Sequence, residues 1–152
     1  MNTDFADVNA TRAGGALYAL PAATTGVRIV GCAFMAATAG GNGGGLLVPP
    51  PLLISGSAFT SCQASSGAVA YVEPEAPSHD DAQAANVDEG EDDDNVVVDE
   101  SVVVVSTAVR NSAANKNGGA FVVANVRTAV ISDSSFWDVA AGENGGVLYG
   151  KN

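Results

Sequence analysis

GGALY, at residues 14–18, is the first copy of the motif that decides the fold of this 152-residue chain. The motif recurs four more times in degenerate form, as GGGLL at 43–47, SGAVA at 66–70, GGAFV at 118–122 and GGVLY at 145–149. Self-similarity at a regular period is the sequence signature of repeat proteins, in which each repeat forms one small supersecondary unit. The motif therefore predicts a repetitive architecture with one structural unit per copy.

An apolar anchor residue precedes each motif at a nearly constant distance. The five anchors are Phe5, Phe34, Phe59, Val109 and Phe136. Four of them lie ten residues before the second glycine of the motif, and the third lies eight residues before Gly67. Successive anchors are 29, 25, 50 and 27 residues apart, so a period near 27 contains one doubled interval. A unit of this length holds about three short strands joined by turns.

Further columns of similar residues keep register with the last four anchors. Seven positions before them stand Val27, Leu52, Val102 and Ala129, and five positions before them stand Ile29, Ile54, Val104 and Ile131. Two positions before them stand the small residues Cys32, Ser57, Thr107 and Ser134, which can stack just before a bend. A further column lies two positions after the second glycine of each motif, or after Gly67 in the third copy, and is predicted to point inward. It contains Leu17, Leu46, Val69, Phe121 and Leu148.

Three short strands cannot bury their apolar side alone, because their edges remain unpaired. Stacking successive units in register pairs each strand with its equivalent and builds interior ladders of like side chains. The sequence therefore predicts an all-β fold, a right-handed parallel β-helix (solenoid) of about five rungs with one acidic loop insertion. A sandwich or barrel of short strands is the alternative, but it gives no reason for the three-part period.

Charge is concentrated in one segment of the chain. The formal net charge is −11, from 17 acidic and six basic residues, and twelve of the acids lie between Glu73 and Glu100. The other five acids and the six bases leave the rest of the chain at about +1. We divide the chain into rungs at 1–72, a disordered acidic loop at 73–100 and rungs of the same solenoid at 101–152. Nucleic acid is not an expected partner, because there is no basic stripe.

The repeated Gly-Gly-Ala-(Leu/Phe/Val) motif, with its Phe anchor about ten residues earlier, resembles the repeats of chlamydial polymorphic outer membrane proteins. GGAL at 14–17, GGAF at 118–121 and GGVL at 145–148 carry the resemblance, and SGAV at 66–69 is a weaker copy. The family's FxxN motif lacks its Asn here, where the third position after each anchor is Val8, Ala37, Cys62, Ser112 or Val139. The resemblance implies a secreted or surface-displayed adhesive region without catalytic residues.

The candidate chemical groups do not form a recognisable site. Cation binding by the acids between Asp88 and Asp94 would be the functional interpretation of the acidic segment, but these acids lack the alternating spacing and turn glycine of an EF-hand loop. His79, the single histidine, has no nucleophile near it in sequence. Cys32 and Cys62 fall in different columns, so buried free thiols are expected rather than a disulfide. We predict no catalytic, cofactor-binding or metal-binding residues.

These observations favour a non-catalytic, surface or adhesin-like structural module over an enzyme. The alternative function is that of a segment of a carbohydrate-active, pectate-lyase-like β-helix enzyme. Expected partners are a protein or glycan of a host or cell surface, and the expected location is extracellular or at the outer membrane. The chain has no signal peptide and no transmembrane segment. It also lacks polar caps, so we expect a fragment of a longer protein or end-to-end self-association.

Overall fold

The computed structural model describes residues 3–19, 26–74 and 101–151, and within these ranges all regular structure is β-strand. The strands form three sheets in which every pairing is parallel. No helix in these ranges could cross a membrane. The arrangement is a parallel β-solenoid, which confirms the predicted fold class.

Each complete turn of the solenoid contributes strands to all three sheets. Sheet A contains β1 (Asp4–Ala6), β2 (Asn9–Ala10), β5 (Ala33–Met35), β6 (Thr38–Ala39), β9 (Ala58–Thr60), β10 (Gln63–Ala64), β13 (Ala108–Ala114) and β16 (Ser135–Ala141). Sheet B contains β3 (Leu17–Tyr18), β7 (Leu46–Val48), β11 (Ala70–Val72), β14 (Phe121–Ala124) and β17 (Leu148–Lys151). Sheet C contains β4 (Val27–Val30), β8 (Leu52–Ser55), β12 (Ser101–Val105) and β15 (Thr128–Ser132).

We number the rungs from the N-terminal end as rung 1 (4–18), rung 2 (27–48), rung 3 (52–72), rung 4 (101–124) and rung 5 (128–151). Rungs 2 to 5 each contribute a strand to sheet C, whereas the described part of rung 1 contributes only to sheets A and B. The described residues therefore form about four complete turns, close to the five rungs predicted. Rung 4 pairs directly with rung 3 in all three sheets.

The anchors lie opposite one another in sheet A, as their spacing predicts. The rings of Phe5 and Phe34 are stacked with centroids 4.7 Å apart, and those of Phe34 and Phe59 with centroids 4.6 Å apart. This distance equals the separation of neighbouring strands, so identical side chains in one column stack face on. The two apolar columns of sheet C are also in the predicted register.

Left-handed backbone conformations are stacked in the turns of successive rungs. The turn before sheet B has positive φ at the first glycine of each motif, namely Gly14, Gly43, Gly67, Gly118 and Gly145. A side chain at this position would be strained, and glycine avoids that cost. The bend within sheet A has positive φ at Asp7, Ala36, Ser61, Asn111 and Asp138. These stacked turns explain why the repeat keeps its length.

One part of the predicted register is wrong. Gly67 matches Gly43, the first glycine of its motif, because both occupy the left-handed turn position. Ala70, rather than Val69, therefore lies opposite Leu46 and Phe121 in sheet B. The sequence pattern aligned Gly67 with the second glycine of the other motifs, and one residue fewer between anchor and turn in rung 3 accounts for the shift.

The small residues two positions before the anchors form the predicted stack, and hydrogen bonds link its members. Ser57 Oγ accepts a hydrogen bond from the backbone N–H of Cys32 at 3.2 Å and donates one to the carbonyl of Ser55 at 3.0 Å. Ser134 Oγ repeats this pattern, since it accepts a hydrogen bond from the backbone N–H of Thr107 at 3.2 Å and donates one to the carbonyl of Ser132 at 2.8 Å. Thr107 Oγ1 donates to the carbonyl of Val105 at 3.0 Å. The hydroxyls of Ser57 and Ser134 thus satisfy backbone groups of two rungs at a bend, where the strand ladder is interrupted.

Candidate binding surface

Outward-facing side chains on sheet A form one exposed column, and its C-terminal end holds the most distinctive group of the surface. The column contains Ala6, Met35, Thr60, Arg110 and Trp137. Side chains alternate between the two faces of a strand. Since the anchors Val109 and Phe136 point inward, Arg110 and Trp137 must therefore point outward. Trp137 is 74% exposed and Met35 is 47% exposed.

Trp137 and Arg110 lie directly opposite each other on β16 and β13. Together with Asn111, Ser135 and Phe136 they line an open depression of about 480 Å³. This volume falls in the usual range of small-ligand sites. The site thus combines the flat apolar face of an indole with a guanidinium that donates hydrogen bonds in one plane.

The local sequence explains why this group is held rigidly. Val109 is fully buried in the core, and Phe136 packs edge-on against Phe121 with ring centroids 6.1 Å apart. Asn111 and Asp138, which adopt positive φ, bend the two strands at equivalent positions just beyond the pair. The backbone beneath Arg110 and Trp137 is therefore fixed by core contacts on one side and by stacked bends at one end.

A second outward column runs along sheet B and contains Tyr18, Leu47, Tyr71, Val122 and Tyr149. The misaligned sequence pattern placed Ala70 here, whereas the structure places Tyr71. Tyr18 is 56% exposed, but Tyr71 is buried. Burial, together with the neighbouring Glu73 carboxylate that accepts a hydrogen bond from the phenol, raises the pKa of Tyr71. Because Tyr71 is buried, its ring is not available as free aromatic surface on sheet B.

The two cysteines lie in different columns and are both free, as predicted, but Cys32 is only half-buried rather than buried. Cys62 is buried between Ala37 of rung 2 and Ser112 of rung 4. Burial raises the pKa of its thiol to about 11. A thiol with such a pKa is almost wholly protonated at neutral pH, so Cys62 is a poor nucleophile.

The other residues considered from sequence are not brought together in the described ranges. His79 and the acids between Asp88 and Asp94 lie outside them, so the prediction of a disordered acidic loop at 73–100 stays untested. Within residues 3–19, 26–74 and 101–151, no three His, Cys, Asp or Glu side chains come together as potential metal ligands.

Sequence reasoning missed the Arg110–Trp137 pair. The signal was present in strand alternation, because a residue that directly follows an inward anchor points outward. The sequence does not make the pair apparent, because its two members are 27 residues apart and their column does not repeat one residue type from rung to rung. No family model, curated protein or solved structure matched this chain when it was compared with them.

Proposed function

We propose that the chain is a non-catalytic recognition module, displayed outside the cell, that binds a glycan through Trp137 and Arg110. The observation that carries this proposal is that the exposed Trp137 lies directly opposite Arg110 on neighbouring strands of sheet A. A hydrophobic side chain of this size gains nothing from exposure to water. Trp137 lines a depression large enough for a small ligand, which supports a role of the exposed indole in ligand binding.

The chemistry of the pair favours an acidic sugar as the ligand. An indole face packs against the C–H groups of a pyranose ring, and a guanidinium forms paired hydrogen bonds with a carboxylate or sulfate. The side chains of Asn111 and Ser135 can bond with ring hydroxyls at the edge of the depression. Surface display is consistent with the likeness of the repeats to chlamydial polymorphic outer membrane proteins.

An array of acidic and neutral oligosaccharides tests this proposal directly. The labelled chain is expected to bind spots that carry uronate or sulfated sugars. The substitution Trp137→Ala should weaken this binding at least about 30-fold, as is typical of a tryptophan at the centre of an interface. Tyr18→Ala is the matched control, because it removes an exposed aromatic from a different sheet and should leave binding unchanged.

The same array distinguishes the alternatives. If Trp137→Ala bound as strongly as the unmodified chain, or if neither bound any sugar, the proposed site would be wrong. Incubation with polygalacturonate tests the enzymatic alternative, since release of shortened, unsaturated or reducing ends would favour a carbohydrate-active β-helix. The recognition module is expected to leave the polymer intact.

A further inference from the structure

The exposed column of sheet A continues from the depression at Trp137 across three further rungs. Met35, Thr60 and Arg110 precede Trp137 in this column, with one residue in each of rungs 2, 3 and 4. Neighbouring strands lie about 4.7–4.9 Å apart, so the column from Met35 to Trp137 is about 14 Å long. Among the described residues of sheet A, Met35 and Trp137 are the exposed large hydrophobic side chains. Apolar surface is therefore present at both ends of this column.

A row of alanines runs beside this column on the same outer face of sheet A. Ala33, Ala58 and Ala108 lie opposite one another in rungs 2, 3 and 4, and Ser135 continues this alanine row in rung 5. Each lies two residues before a member of the exposed column, so both point outward on either side of an inward anchor. Ser135 also lines the depression beside Trp137. The depression therefore opens onto a floor of methyl groups that has the exposed column as its wall.

The floor and the wall suit different groups of a ligand. Alanine methyl groups neither donate nor accept hydrogen bonds, and the backbone groups beneath them belong to strands paired in the parallel ladder. The floor therefore offers contacts to C–H groups, such as those on the face of a pyranose ring. In the wall, Thr60 and Arg110 can bond with hydroxyl or acidic groups at the edge of such a ring. Since each rung repeats the floor, the surface suits a chain of rings.

Charge is unevenly distributed along this surface. Arg110 is the one base in the exposed column and the alanine row, counted over the described rungs. Asp4 continues the alanine row into rung 1, and Asp7 lies at the adjacent bend. In rung 5, Asp133 and Asp138 occupy the turn before the row and the bend after the column. An acidic ring of the ligand is therefore favoured at Arg110 and disfavoured toward rung 1, where only like charges face it.

We propose that the ligand is a linear oligosaccharide that lies along the alanine row, parallel to the solenoid axis. Its single acidic ring lies at Trp137 and Arg110, and neutral rings follow over the alanines of rungs 4, 3 and 2. A linked pyranose ring is about as long as one rung is high, so about one ring per rung is expected. This inference rests on glycan binding at Trp137 and Arg110, and it adds the length, direction and charge of the ligand.

Isothermal titration calorimetry with oligosaccharides of increasing length tests this proposal. The probes are glucuronic acid alone and the same ring joined to a linear chain of about one to three glucose rings, which would reach from rung 5 to rung 2. Affinity should rise by at least about tenfold over the series, because each added ring covers one further rung. An oligomer of glucuronate alone, of the same length, should bind less tightly than the mixed compound, because its further carboxylates meet no base.

The substitution Ala58→Phe blocks the proposed path at rung 3. Residue 58 is half-buried and points outward, so its new ring would lie over the floor rather than in the core. The gain from added glucose rings should disappear, whereas glucuronic acid alone should keep its affinity. Ser55→Phe is the matched control, because it adds the same side chain to a half-buried outward position of the same rung on sheet C. This control should bind every probe as the unmodified chain does.

The outcomes separate this inference from the glycan site on which it rests. Equal affinity for glucuronic acid and for the longest mixed compound would overturn the inference and leave the site at Trp137 standing. An undiminished gain in Ala58→Phe would also overturn it, since the added rings would then lie elsewhere. Failure of the unmodified chain to bind any probe, together with failure on the oligosaccharide array, would overturn both the site and the inference.

Met35→Ala provides a second test if Ala58→Phe changes the circular dichroism spectrum. Met35 is 47% exposed, so its truncation should leave the fold intact. The substitution should reduce the contribution of the last glucose ring, which lies over rung 2, and leave the shorter probes unaffected. Val30→Ala is its control, because it truncates an exposed hydrophobic side chain of the same rung on sheet C. An equal contribution of the last ring in Met35→Ala and in the unmodified chain would contradict the proposed direction.

Discussion

Rungs 3 and 5 carry the same kinds of side chain in the same columns, yet rung 3 buries them and rung 5 does not. Phe59 and Ile54 of rung 3 are fully buried, whereas their equivalents Phe136 and Ile131 are only partly covered. The local backbone is alike, since both rungs place strands in all three sheets. The difference is that, among the residues that the structure describes, rung 3 has a neighbour on each side and rung 5 has a neighbour on one side.

This comparison shows where the stability of the fold comes from. In a solenoid, each rung contacts only its neighbours, so the free energy of folding is approximately a sum of rung and interface contributions. A side chain in rung 3 contributes to two interfaces. The same side chain in rung 5 contributes to one interface among the described residues.

The largest expected difference between the two rungs follows from removal of an anchor. Phe59→Ala should lower the free energy of unfolding by about 3–5 kcal/mol, because it removes a ring buried between two rungs and leaves a cavity. Phe136→Ala should cost about half as much, since water already reaches that side chain. Urea denaturation, at a concentration where the chain is monomeric, measures both values.

Equal losses for the two anchors would contradict this model of stability. The anchor position of rung 4 provides a natural reference, because Val109 shows that the column accepts a smaller side chain. Phe59→Val should therefore be better tolerated than Phe59→Ala. The difference between them reports the size of the remaining cavity.

The next largest effect concerns the pH dependence of stability, and it depends on Cys62. Burial raises the pKa of this thiol from 9.0 to about 11, so the folded state holds the proton more tightly than the unfolded state. The resulting stabilisation is fully present below pH 9 and is lost as pH rises toward 11. Two pKa units correspond to about 3 kcal/mol.

Denaturation at several pH values between 8 and 11 measures this loss, with Cys62→Ala as the reference. Alanine occurs in the same column at Ala37 and does not titrate. Val139→Cys in the Cys62→Ala chain places a thiol in the equivalent position of rung 5, which is half-buried. That variant should lose much less stability across the same range, and an equal loss would show that a second neighbouring rung has no influence.

The periodicity of the sequence was sufficient to predict the fold, because interior columns repeat apolar residues at fixed distances from each anchor. It was not sufficient for the register of rung 3, where Gly67 aligns through its left-handed backbone rather than through its place in the motif. Ala36 and Ser61 adopt positive φ in the bend of sheet A, and their identities give no sign of it. The register of such bends depends on stacking against the neighbouring rung.

The candidate surface was less predictable than the fold, for a related reason. Trp137 and Arg110 become neighbours only when rungs 4 and 5 are stacked. Any one outward residue in a single repeat looks like an ordinary exposed side chain. The pair becomes visible in the sequence only when the residues that follow the anchors of rungs 4 and 5 are aligned.

The smallest of the expected differences concerns the buried hydroxyls. Ser112 Oγ accepts a hydrogen bond from the backbone N–H of Cys62 at 3.2 Å and donates one to the carbonyl of Arg110 at 3.0 Å. Ser112→Ala should cost about 1–3 kcal/mol, because the N–H of Cys62 would be left buried without a partner. Ser134 makes equivalent bonds with Thr107 and Ser132 in the partly exposed last rung.

Ser134→Ala should cost less than Ser112→Ala, because water can reach the freed N–H of Thr107 from the open end of the stack. Hydrogen exchange of the two amides separates this explanation from a general loss of stability. In Ser112→Ala, the Cys62 amide should exchange faster only to the extent that the whole domain is destabilised. In Ser134→Ala, the Thr107 amide should lose protection locally.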